Sequence, residues 1–110
     1  MGQAKSVMKL LPVIDTIERA TANVPEELAD NAWVKGVSGL NKQLDKQLKE
    51  IGLEKINAKP GTPFNPELHQ AIQFDEETEG DKEVIAEELR AGYTLDGVVI
   101  RDAMVKVTRQ

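Results

Sequence analysis

A chain of 110 residues makes one ordinary domain, or two small units that depend on each other. Its formal charge of −5 offers no phosphate-neutralising surface, so nucleic acid is not an expected partner. The absence of cysteine excludes a disulfide scaffold, a thiolate zinc site and a cysteine nucleophile, and fits a reducing compartment. No apolar run approaches the roughly 18 residues of a membrane span, and no basic-then-apolar leader opens the chain. With four aromatic side chains (Trp33, Phe64, Phe74, Tyr93), the core must be mainly aliphatic.

Charge breaks the chain near Gly52. Residues 1–52 carry seven basic and seven acidic side chains, whereas residues 53–110 carry seven and twelve. Two units follow, a helical unit over 1–52 and a β-unit over 53–110. In the first, Val7, Leu10, Leu11, Ile14 and Ile17 recur at helical spacing and form one apolar stripe. Pro12 lies inside that stripe and should kink the helix or restart it. Asn23-Val24-Pro25 ends the segment, because a residue before proline is pushed out of helical geometry. Pro25 with Glu26 and Glu27 suits the start of a second helix, although Asp30 or Asn31 could equally cap a fresh start. From there Val34, Val37, Leu40, Leu44, Leu48 and Ile51 make a sustained seam, and Gly52 with Leu53 supplies a Schellman stop.

After Gly52 the period shortens to two. Leu68, Gln70, Ile72 and Phe74 alternate with His69, Ala71 and Gln73, and Ala103, Val105 and Val107 alternate with Met104, Lys106 and Thr108. Between these strands, Asp96-Gly97 separates Tyr93-Thr94-Leu95 from Val98-Val99-Ile100 and predicts a tight hairpin. Residues 83–90 have a helical composition. The fold class is therefore α+β: two amphipathic helices followed by a small all-β domain. Two helices alone expose more apolar stripe than they can mutually cover. Either a homodimer completes a four-helix bundle, or both stripes pack on the second unit of the same chain.

Reactive chemistry is sparse. His69, the sole histidine, lies in a strand pattern with nothing linking it to Ser6 or Ser38, and is expected to be structural. Asp75, Glu77, Glu79 and Gly80 match early positions of an EF-hand loop, but Ala86 falls where the bidentate carboxylate is required, so the run reads as a solvated acidic loop. Gly36 and Gly39 lie on the helical seam without a following lysine and form no phosphate cradle; they permit close approach of a neighbouring backbone. No catalytic residue, metal ligand or cofactor site emerges. The residues alone describe an interaction protein.

Several segments nevertheless match a known pattern. Leu10-Leu11-Pro12-Val13-Ile14-Asp15 with Glu18-Arg19-Ala20, Gly36 and the seam to Gly52, Phe64-Asn65-Pro66 with His69 and Ala71, and Gly92-Tyr93, Gly97, Ile100-Arg101, Ala103, Val105 and Val107 occur in order over residues 7–108. Together they resemble the GrpE family, nucleotide-exchange factors of DnaK-type chaperones. The resemblance implies a homodimer with a four-helix bundle and paired β-domain wings, working in the bacterial cytoplasm without a cofactor. One wing would insert against the chaperone ATPase domain and open its cleft so that ADP leaves. The family's long N-terminal helix is almost wholly missing, as in an N-terminally truncated form. The same resemblance assigns chaperone contact to Leu89, Thr94, Gly97, Val98 and Gly36, and dimerisation to Val37, Leu40, Leu44 and Leu48. Phe64, Tyr93 and Ala103 are assigned to the fold. Val98 departs from the pattern, which usually has Arg or Lys there, and Asp102 stands where Pro or Ala is common.

Overall fold

A computed structural model describes residues 2–22, 24–75 and 79–110. Asn23, at the expected helix end, and Glu76 and Glu77 of the acidic run lie outside the described residues. The chain divides into two compact units, Met1–Gly52 and Leu53–Gln110.

The first unit holds α1 (Gly2–Ala22) and α2 (Ala32–Glu50), joined through a short 3₁₀ turn over Glu26–Leu28. α1 runs through Pro12 without restarting. The proline removes one backbone donor, and the Thr16 hydroxyl donates to the Pro12 carbonyl at 2.9 Å. Val7, Leu11 and Ile14 are buried, whereas Leu10 is exposed together with Met8 and Val13. The single expected stripe is thus two adjacent ones, and Leu10 belongs to the outer.

α2 begins at the later of the two expected starts. Asn31 caps it, its Oδ1 accepting from the backbone N–H of Trp33 at 2.9 Å and of Val34 at 3.4 Å. The Pro25-Glu26-Glu27 segment is spent on the 3₁₀ turn instead. At the far end Gly52 takes φ 91° and donates to the Lys49 carbonyl at 3.0 Å, the inner bond of a Schellman stop. The helices meet at a polar pair: Asn41 Nδ2 donates to Thr21 Oγ1 at 2.8 Å, and that hydroxyl donates on to the Ile17 carbonyl.

The second unit is all β: β1 (Leu53–Lys55), β2 (His69–Phe74), β3 (Glu83–Arg90), β4 (Tyr93–Leu95), β5 (Val98–Arg101) and β6 (Ala103–Arg109). One sheet has the order β1-β4-β5 and is antiparallel; the other has the order β2-β6-β3, with β2 parallel and β3 antiparallel to β6. Ala103, Val105 and Val107 of the central β6 anchor a cluster with Ile56, Ala58 and Ile85, flanked by Phe64, Leu68, Ala71 and Val99. Each valine or isoleucine of that cluster contributes about 1.5–3 kcal/mol on burial.

Two expectations change here. Residues 83–90 are a strand: Val84 and Ile85 are buried, and pairing with β6 overrides the helix-forming glutamates. In β2 the core face is the opposite of the apolar-looking one. His69 and Ala71 pair with the buried Ala103 and Val105, while a register shift between Ala71 and Gln73 leaves Ile72 and Phe74 exposed.

Candidate functional site

The residues expected at the wing surface occupy two neighbouring elements. Asp96 (φ 50°) and Gly97 (φ 84°) form the turn between β4 and β5, both left-handed as a two-residue hairpin requires. Immediately after it Val98 is 65% exposed, while Val99 packs against the core cluster. The side chain at 98 is therefore on the surface. Thr94, half-buried, pairs with Glu54 on one side and Val99 on the other.

Leu89 lies on β3 at an interruption of the ladder. Glu88 pairs with Val105 and Arg90 with Met104, so Leu89 is the extra residue of a bulge. Bulges re-aim side chains, and this one leaves Leu89 40% exposed. Thr94, Gly97 and Val98 thus share one hairpin, and Leu89 sits on the strand that leads into it.

Gly36 lies on α2 in the first unit, and a methyl group there would meet nothing within 4 Å. The same helix carries Val37, Leu40, Leu44 and Leu48. None of its residues is buried; Val37, Leu44 and Leu48 are half-buried, and Leu40 is 65% exposed. The set Val34, Val37, Asn41, Leu44 and Leu48 steps by alternating three and four, with Asn41 facing Thr21 of α1. Sequence reasoning passed over Asn41 because it is polar; its heptad position was the available signal. Beside this set runs a second, outer stripe of Trp33, Leu40 and Ile51, all exposed.

His69 shows why no hydrolytic chemistry is built around it. It is buried, its Nδ1 accepts the Asn65 backbone N–H at 3.0 Å, and its Nε2 lies 2.8 Å from the Asn57 carbonyl. Those partners assign the neutral tautomer with the proton on Nε2. Asn65 also accepts from the Glu67 N–H through its side chain and from Leu68 and His69 through its carbonyl. Phe64, with its ring 6.0 Å from that of His69, completes a knot that sets the entry into β2.

The family profile described as GrpE matches residues 1–109. The chain belongs to the GrpE family. It is 42% identical over 104 residues to Protein GrpE of Synechococcus elongatus, covering 94% of this chain and 50% of that one. Against Protein GrpE of Staphylococcus carnosus the figures are 40% over 108 residues, 97% and 54%, and against that of Lachnoclostridium phytofermentans 37% over 107 residues, 97% and 47%. The chain spans about half the length of the curated relatives it matches. In the second unit, the residues that carry the resemblance fall in two places: the knot of Phe64, Asn65 and His69, and the stretch from Gly92 to Val107 that contains the hairpin and β6.

Proposed function

We propose that this chain is the bundle and wing of a nucleotide-exchange factor that binds the ATPase domain of a DnaK-type chaperone and promotes ADP release. The observation that carries this reading is membership of the GrpE family over nearly the whole chain, in a fold that presents Thr94, Gly97 and Val98 on an exposed hairpin. Contact is made by that hairpin with Leu89, supported by Gly36 on α2. The protein acts as a homodimer in the bacterial cytoplasm. The outer stripes of the helices, Leu10 and Val13 on α1 and Trp33, Leu40 and Ile51 on α2, support dimerisation, since each helix of a four-helix bundle faces two neighbours.

The mechanism requires no catalytic group and no cofactor. A factor that binds the open ATPase cleft more tightly than the closed one shifts the chaperone toward open, by as much as the difference in affinity and no more. ADP and the factor then weaken each other's binding by one common factor. Stopped-flow release of a fluorescent ADP analogue from a DnaK-type chaperone is the direct test: the chain should accelerate release, and its affinity should fall when ADP is saturating. Equal affinity with and without ADP rejects the exchange reading.

One observation favours a second reading. Val98 supplies neither charge nor a hydrogen bond at the exposed position where the family usually presents a cation. A dimeric adaptor that no longer engages the chaperone would tolerate such a change, and it would leave ADP release unaltered.

A further inference from the structure

The chain passes from one sheet to the other three times, and the last two crossings touch. Ala91-Gly92 carries it from β3 to β4, and Asp102 carries it back from β5 to β6. A Cβ at Gly92 would overlap Ala103 N, the Asp102 carbonyl carbon and the Arg101 oxygen, so the crossings are in backbone contact and a side chain at 92 would separate them. Arg101 closes the same place from its side chain. Its Nε donates to the Ala91 carbonyl at 3.0 Å and its Nη2 to the same oxygen at 2.5 Å. Its guanidinium carbon lies 5.4 Å from the centroid of the Tyr93 ring, which is itself buried. β4 and β5 thus leave and rejoin the other sheet side by side, next to β1, whose continuation donates from the Ile56 N–H to the Gly92 carbonyl at 2.9 Å, and one planar cation ties β5 back to Ala91 across these crossings.

We infer that Arg101 is a positioning residue: it fixes the angle of the β4–β5 hairpin against β3, and so holds Thr94, Gly97 and Val98 in register with Leu89 for a shared partner. The geometry is specific to arginine. Two donors on one rigid plane converge on a single carbonyl while the central carbon of that plane lies over an aromatic ring, an arrangement that an ammonium group cannot reproduce. The distance from Leu89 to the turn spans two separate sheets, and the ladder bonds within each sheet do not fix the angle between them. The tied crossings do. The part of this inference that concerns the chaperone rests on the exchange reading above.

The chain has no native cysteine, so two spin labels can be placed cleanly, one at Glu87→Cys on β3 and one at Val98→Cys on β5. Dilution with unlabelled chain removes pairs between copies. Arg101→Gln should keep the far-ultraviolet circular dichroism of the parent while broadening the distance distribution between the labels. In unlabelled protein the same substitution should weaken binding to the chaperone ATPase domain at least about tenfold, the scale of a lost charge-assisted hydrogen bond. Arg101→Lys, which keeps the cation over Tyr93 and loses the fork, should fall between the two, and it serves as the test variant if Arg101→Gln does not fold. An unchanged distance distribution in a folded variant overturns the inference, whether affinity is retained or, through direct contact with the partner, lost. If the parent itself fails to accelerate ADP release, the exchange reading falls, while the label distances still decide whether Arg101 sets the hairpin.

Discussion

Under the proposed function, position 98 is an exposed place on the hairpin where one side chain would bear on recognition of the partner. Val98 is the first residue of β5, 65% exposed, and its neighbour Val99 takes the inward place. Substituting arginine therefore adds a surface charge without burying one, and the melting temperature should stay within a degree or two of the parent. Against a chaperone that presents a carboxylate to this position, Val98→Arg should speed association about fivefold at low salt, equivalent to about 1 kcal/mol for an exposed pair, with the gain shrinking as salt rises. Stopped-flow association at two ionic strengths measures it, and a lowered melting temperature with no gain in rate rejects it. The surface placement of Val98 was legible from the sequence, because the resemblance implies that a cation usually stands there and charges are rarely buried. Arg101 gave no such signal: its partner is a backbone carbonyl ten residues earlier, and backbone acceptors carry no side-chain identity. His69 was legible as structural, but not the two backbone groups that hold it.

At the scale of elements, local chemistry was legible where it was locally decided. The α2 cap is such a case. Asn31 satisfies two of the orphan donors at the helix start, and the side chain alone does it. Asn31→Ala should cost about 1 kcal/mol, read as a shift in the denaturation midpoint of the helical unit with an unchanged slope. A variant as stable as the parent would mean that Pro25 and the 3₁₀ turn fix the helix start without the cap. The hairpin turn at Asp96-Gly97 was legible for the same reason, since positive φ at two successive residues selects these residue types. β3 was not. Its glutamates favour a helix, and only the neighbouring β6, remote in sequence, turns Val84 and Ile85 inward and makes the segment a strand. The bulges at Ala86 and Leu89 were hidden too, because a register shift depends on the partner strand rather than on the bulged residues.

At the scale of the whole molecule, the helices remain incompletely covered within one chain, with no buried residue on α2. On the proposed reading a second copy covers their outer stripes, so the parent should sediment as a dimer at micromolar concentration. Leu40→Asp should give a monomer, because a carboxylate on that outer stripe would lose its water in the dimer without gaining a partner. A parent that stays monomeric throughout this range rejects self-sufficient dimerisation by these helices. The change from helices to strands was legible from the change of period near Gly52, whereas the pairing of β2 with β6 was not, because parallel neighbours 34 residues apart (His69 with Ala103) leave no local trace. That pairing has a kinetic consequence. β6 is the middle strand of its sheet and follows every other strand in the chain. On a ribosome, β2 and β3 emerge with no template between them, and their exposed apolar residues wait until Arg109 is free of the exit tunnel. The helical unit, built from local contacts, can be complete by then. Under the proposed function, synthesis thus yields the half assigned to dimerisation first and the half assigned to the chaperone last, so a nascent chain would acquire its own copy before it could engage anything else.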